Sequence, residues 1–195
     1  MSFVTIFMYK SNSFINKTTK KVLSPLLRLF SSIGITPNQF SIVSFIIGTI
    51  SVIFVLLQKI EIALILLFIT LIFDCIDGAL ARYAKLESKL GEKLELVFDR
   101  TNEAMWFLAL AAVNLVSFKI AILAIAAILL MSALRKKSNF DPGFKRTILF
   151  IGYFINNFQL ALKVIFLVNL FGFVVNMLIL DYKYQKQADI KKVKI

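Results

Sequence analysis

The sequence predicts an all-α membrane protein of six transmembrane helices preceded by an amphipathic interfacial helix. Three observations lead there. Hydrophobic residues make up 59% of the 195-residue chain, against roughly half in a soluble domain, and the mean hydropathy is +0.83. The apolar residues gather into runs close to the ~20 residues that cross a bilayer. Basic residues crowd into alternate connections between those runs, the charge pattern of a chain that crosses repeatedly.

Residues 1–33 mix Phe, Ile and Leu with Lys10, Lys17, Lys20, Lys21 and Arg28. That mixture predicts a helix lying on the membrane surface rather than a cleaved leader. The first span is Asn38–Leu57, opened by "ITPNQF". Here Thr36 precedes Pro37, and proline suits a first helical turn because the N–H it lacks would have no partner there. The second span is Glu61–Arg82, the third Gly91–Val116 and the fourth Lys119–Leu134. "FDPGF" at 140–144 then breaks the chain. Arg146–Leu180 is too long for one span and divides near Leu162–Lys163 into a fifth and a sixth. Asn156, Asn157, Asn169 and Asn176 read as groups for helix–helix hydrogen bonds. The organisation expected is a juxtamembrane segment over 1–33, a six-helix transmembrane domain over 34–182 and a basic cytoplasmic tail over 183–195, with no internal repeat.

Orientation follows from the loops. Residues 83–93 carry Lys85, Lys89 and Lys93 against Glu87 and Glu92, and residues 135–146 carry Arg135, Lys136, Lys137, Lys145 and Arg146 against Asp141. The tail carries Lys183, Lys186, Lys191, Lys192 and Lys194, whereas the turns near Lys59–Glu61, Lys119 and Lys163 are poor in charge. The positive-inside bias then puts both termini in the cytoplasm of a multi-pass cell-membrane protein.

Composition also excludes. The net charge of +12 sits between apolar runs, where topology and anionic lipid account for it, and no nucleic-acid-binding motif is present. A single Cys75 leaves no disulfide framework and no thiolate zinc site, and the absence of His removes triads, histidine metal sites and histidine relays. Any metal must be held by oxygen, which favours Mg²⁺, Mn²⁺ or Ca²⁺.

Against this background "DCIDGALARYAKLESKLGEKLELVFDR", Asp74 to Arg100, stands out because it sets four acids at the mouths of two apolar segments. Asp74, Asp77, Gly78 and Ala81 fall at i, i+3, i+4 and i+7, one face of a helix, and Gly91, Glu95 and Asp99 repeat every four residues on the next. Two carboxylates from one helix can face two from its neighbour. Such charges repel, and ionisable groups at membrane depth are costly and usually functional. A divalent cation relieves the repulsion. Gly78 and Ala81 keep side-chain bulk off the same face, and Arg82 lies one residue beyond, in reach of a phosphate. Solvated acids paired with Lys85, Lys89 and Lys93 are the structural alternative.

The spacing D-x2-D-G-x2-A-R-x8-G-x3-E-x3-D closely resembles the signature of the CDP-alcohol phosphotransferase family, membrane enzymes of phospholipid synthesis. Asp74, Asp77, Gly78, Ala81, Arg82, Gly91 and Asp99 match it, and "TPNQFSIVSFIIGTI" looks like the family's first helix. The resemblance implies transfer of a phospho-alkyl group from a CDP-alcohol to a second alcohol with release of CMP. It implies Mg²⁺ or Mn²⁺ held by Asp74, Asp77, Glu95 and Asp99. It implies a nucleotide site formed by Asp74, Asp77, Gly78, Ala81 and Arg82, with Asp99 as the catalytic base, in a homodimer. Glu95 departs from the pattern, which has Asp there. It keeps a carboxylate but adds a methylene, and Mg²⁺ tolerates poor geometry badly.

Basic residues in "LRKKSNFDPGFKRT" add a candidate acceptor pocket. Arg135, Lys145 and Arg146 resemble the basic residues that family members using inositol phosphate or glycerol phosphate carry in this region, and arginine suits phosphate. Topology alone would also produce them. The donor implied is a lipid CDP-alcohol, CDP-diacylglycerol or CDP-archaeol, with a soluble one such as CDP-inositol as the alternative. Outside the transferases, a transporter or an inactive scaffold are the rival classes.

Overall fold

A computed structural model describes residues 24–138 and 144–193, with side chains described over 24–134 and 144–185. The described residues form helices and connections with no strand. Helix α1 covers 24–32. It is followed by α2 (Pro37–Leu56), α3 (Ile60–Ala84), α4 (Lys89–Ala112), α5 (Phe118–Ser138), α6 (Lys145–Phe154) and α7 (Phe158–Val193).

Local chemistry explains the boundaries. Thr36 and Gln39 form half of a capping box: the Thr36 N–H donates to Gln39 Oε1 at 2.9 Å, with Pro37 in the first turn. Five helix ends share one closure. The chain enters the left-handed region at Gly34, Gln58, Lys85, Asn114 and Asn156, with φ between 52 and 77°. The next N–H then reaches back to a carbonyl in the last turn, as in Lys59 N–H to Phe54 O and Leu115 N–H to Leu110 O, both 2.9 Å.

Among the described residues three helices are long and apolar enough to cross a membrane, Pro37–Leu56, Ile60–Ala84 and Phe158–Gln185, against the six spans expected. The difference has plain causes. Helix α4 carries Lys89, Glu92, Lys93, Glu95, Asp99, Arg100 and Glu103 along its first turns. The apolar part of α5, Phe118–Leu134, is shorter than a full span. Helix α6 has 10 residues, about 15 Å at helical rise, half a bilayer core. The expected division at Leu162–Lys163 is corrected. The break falls at 155–157, and both residues lie inside α7. Asn156 makes the left-handed turn, and Asn157 Oδ1 accepts the Leu160 N–H at 2.8 Å as the cap of α7. Neither serves the interhelical role expected of it, and the Asn169 amide donates to Ile165 O on its own helix at 2.7 Å.

The chain divides into two compact units, the first ending at Gly48 and resuming over Phe68–Phe98, the second formed by Thr49–Leu67 with the chain from Asp99 onward. In the first, Leu27 of α1 is buried with Phe40, Ala79 and Leu80. Phe40 meets Phe30 edge-on at 4.9 Å, and Phe45 stacks on Phe98 at 4.6 Å. Of the expected interfacial helix, 24–32 is helical with Leu29 exposed opposite the buried Leu27, and residues 1–23 lie outside the described part. In the second unit, α5 and α6 pack on α7. Ala121, Ala124 and Ala161 are buried there, small side chains that let helices approach closely. Trp106 and Phe107 fill the centre, and the Trp106 indole N–H donates to Ser51 Oγ at 2.6 Å. On α2, Ile42, Ile46, Ile50 and Ile53 face outward at helical spacing, an apolar stripe fit for lipid.

Candidate active site

In the first unit, the end of α3 and the start of α4 line a cavity of about 200 Å³ together with the first turn of α2. Pro37 and Ser41 contribute from α2, Asp77, Gly78 and Arg82 from α3, and Glu95 from α4. Ala81 and Gly91 also line it. The cavity therefore gathers most of the residues singled out by spacing alone.

The two aspartates of α3 are held by two serines of α2. Ser41 Oγ donates to Asp77 Oδ2 and Ser44 Oγ to Asp74 Oδ1, each at 2.7 Å. Each serine also lies 3.3 Å from a carbonyl, Pro37 O for Ser41 and Thr70 O for Ser44. A hydroxyl has one proton, and the shorter, charge-assisted contact takes it. The earlier serine meets the later aspartate, as antiparallel helices require, and both pairs are spaced three residues apart. Sequence reading treated "TPNQFSIVSF" as a helix start and passed over both serines. The matching spacing was the available signal.

Asp77 is 4% exposed. Its Oδ1 is buried without a hydrogen-bond partner, and the charges of Asp74 and Glu95 repel it. A buried carboxylate oxygen with no donor and negative neighbours is costly, and a cation in the cavity would satisfy it. Among the described residues no group of three or more acidic side chains is assembled tightly enough to hold an ion unaided. Glu95 is exposed on α4, so the protein offers an incomplete ligand set. Gly78 and Gly91 keep the cavity open in different ways. A Cβ on Gly78 would meet only the Arg82 guanidinium, at 3.5 Å, whereas one on Gly91 would come within 3.0 Å of Asn38 Oδ1 and 3.2 Å of Ser88 Oγ.

Asp99 belongs to the second unit, where its Oδ1 accepts from Arg146 Nη2 at the start of α6. Beside it Glu103, 8% exposed, binds Arg100 and lies 3.8 Å from Lys145 Nζ. Lys145 itself is 5% exposed. The structure thus joins three of the expected residues, Asp99, Lys145 and Arg146, to two that sequence reading missed, Arg100 and Glu103. Arg135 lies in the last part of α5, and its side chain is outside the described set.

A family model for CDP-alcohol phosphatidyltransferase matches residues 34–181. The chain belongs to the CDP-alcohol phosphatidyltransferase family. Family membership and the apolar helices make it a membrane protein. Among relatives of this CDP-alcohol phosphatidyltransferase chain, archaetidylinositol phosphate synthase of Pyrococcus horikoshii is 35% identical over 112 residues, 56% of this chain and 60% of that protein. The bifunctional IPC transferase and DIPP synthase of Thermococcus kodakarensis is 41% identical over 78 residues, 40% of this chain and 18% of that protein. The chain thus spans less than two thirds of the curated relatives it matches. Its fold is shared with phosphatidylinositol phosphate synthase PgsA1 of Mycobacterium tuberculosis. The crystal structure of that protein with CDP-DAG bound superposes with a TM-score of 0.69 at 13% identity, over 82% of this chain and 94% of that one. The structure in complex with manganese and citrate gives 0.67 at 14% identity, over 80% and 87%.

Proposed function

We propose that this protein transfers a phosphatidyl-type or archaetidyl group from a CDP-linked lipid alcohol to a hydroxyl of inositol phosphate and releases CMP. The observation that carries the reading is the orphaned Oδ1 of Asp77, buried in a cavity that also holds Gly78, Ala81 and Arg82. Asp74, Asp77 and Glu95 would hold Mg²⁺ or Mn²⁺, with pyrophosphate oxygens of the donor completing the set. Bound there, the ion would neutralise charge on the phosphates and on departing CMP. Arg82 reaches the same phosphates, and Gly78 lets them approach the α3 backbone.

Asp99 is the group we assign to take the proton from the acceptor hydroxyl as its oxygen forms a bond to the lipid-bearing phosphorus and the bond to CMP breaks. Arg146 is bound to this carboxylate at present. The phosphate of an inositol phosphate is a competing partner for the guanidinium and would draw it from the base. That geometry, with Lys145 adjoining and Arg135 near the end of α5, favours a phosphorylated acceptor over plain inositol or serine. The archaetidylinositol phosphate synthase of Pyrococcus and the phosphatidylinositol phosphate synthase of Mycobacterium support inositol phosphate over glycerol phosphate. Basic loops support a cytoplasm-facing site, and we extend the proposal to a homodimer.

The test is CMP release by the purified protein with Mg²⁺ or Mn²⁺, CDP-archaeol or CDP-diacylglycerol, and inositol phosphate, glycerol phosphate, serine or inositol. Release that needs both metal and inositol phosphate, and is lost in Asp99→Asn, is the expected result. Release only with soluble CDP-inositol would replace the lipid donor. No release with any donor would sink the reading.

A further inference from the structure

Ser41 and Ser44 stand outside the acidic signature, yet they make the two side-chain hydrogen bonds that tie α2 to the α3 carboxylates, both at 2.7 Å. The start of α2 is marked by the Thr36–Gln39 contact, and Ser41 and Ser44 follow it three residues apart on the side that meets α3. Ser44 is buried, 4% exposed. Its hydroxyl is directed to Asp74 Oδ1 and lies near Thr70 O.

We propose that Ser41 and Ser44 are positioning residues for the cation, each restraining the rotation of one aspartate by occupying one of its oxygens. On Asp77 the consequence is directional: Ser41 takes Oδ2, and Oδ1 is the oxygen left buried and unpartnered in the cavity. A carboxylate plane free to turn about its last bond presents either oxygen. One pinned by a hydroxyl presents a single oxygen, at lower entropic cost to the ion. Hydrogen-bonded supports of this kind tune metal ligands strongly. The inference rests on the metal-dependent reading above, and it assigns α2 a part in binding that the spacing of acids on α3 and α4 does not contain.

The test uses full-length protein in nanodiscs without nucleotide. Mn²⁺ is titrated, and the free aquo ion is followed by electron paramagnetic resonance. Ser41→Ala and Ser44→Ala are each expected to weaken binding by about tenfold or more, and Ser41→Thr, which retains the hydroxyl, to stay within about threefold of wild type. In turnover, the Mn²⁺ concentration for half-maximal rate shifts in parallel while KM for the acceptor holds. Unchanged affinity in both alanine variants overturns the proposal, as does Ser41→Thr binding as weakly as Ser41→Ala. Should Ser44→Ala not fold, the Ser41 pair decides alone. A wild type that binds Mn²⁺ but releases no CMP with any donor removes the proposed reaction and leaves the positioning role standing. A wild type that binds no Mn²⁺ overturns both.

Discussion

Arg146 and Asp99, 47 residues apart in sequence, meet in an ion pair that links the start of α6 to α4. The pair couples an assigned base to an assigned acceptor contact, so the two roles separate only in kinetics. Arg146→Ala is expected to raise KM for inositol phosphate by roughly 10- to 100-fold, the value of one or two hydrogen bonds to a charged group. KM for the CDP-linked donor should stay near wild type. Steady-state kinetics with each substrate varied in turn checks this, and an equal rise in both constants would remove Arg146 from the acceptor pocket.

Asp77→Asn removes the charge of a carboxylate whose Oδ1 has no hydrogen-bond partner among the described residues. The expected outcome has two signs. CMP release falls by more than about 100-fold because a ligand charge is lost. The metal-free protein melts at the same temperature or higher, because a buried, repelled carboxylate is gone. Differential scanning fluorimetry without metal, beside an activity assay, reads both.

Gly91→Ala would set a Cβ 3.0 Å from Asn38 Oδ1 and 3.2 Å from Ser88 Oγ. Ser88 has little freedom to yield, since its hydroxyl accepts the Gly91 N–H at 3.0 Å. The crowding is expected to destabilise by about 1–3 kcal/mol. The Gly91→Ala, Asn38→Ala double variant should recover about half of that, and thermal unfolding of the two variants is the measurement.

Gln58 sits at φ 59°, where a side chain costs roughly 1–2 kcal/mol in the general case. Gln58→Gly is expected to stabilise by about 1 kcal/mol or slightly less. Asn114→Gly and Asn156→Gly should gain less, because Asn tolerates the left-handed region better. Equal gains at the three positions would contradict the argument.

Ser51→Ala leaves the buried Trp106 N–H without its acceptor and is expected to cost about 1–3 kcal/mol. Trp106→Phe leaves the hydroxyl instead. Removing both partners should cost less than the sum of the single changes, which a double-mutant cycle on unfolding free energy measures.

Asp77, Gly78, Ala81, Arg82, Gly91 and Glu95 could be singled out before the cavity they line was seen, because chemistry at fixed spacing survives in an apolar background; Asp74 lies outside that lining, and Asp99 belongs to the second unit. The helices were legible within a few residues up to Leu134. The division of 146–180 was not, because four of the five left-handed closures use Gln, Lys or Asn in place of glycine. A uniformly apolar run gives no periodicity to mark a break. Asn156–Asn157 carried the only local sign and also suited a helix interface. Ser41 and Ser44 were hidden for another reason. A serine on an apolar helix is common, and its partner Asp74 or Asp77 becomes evident only when two helices are set side by side. Glu103 and Lys145 likewise draw their meaning from a pairing 42 residues along the chain, with Arg100 three residues from Glu103.

Trp106 is the one tryptophan of the chain, and it is 1% exposed. Its hydrogen bond to Ser51 and its place about two helical turns beyond Asp99 on α4 make it an internal fluorophore for the second unit. Excited at the long-wavelength edge, where the five tyrosines absorb little, this protein emits from a single indole. A change in wavelength or intensity on adding acceptor therefore reports the surroundings of one known indole, without any label, in the same sample in which turnover is followed.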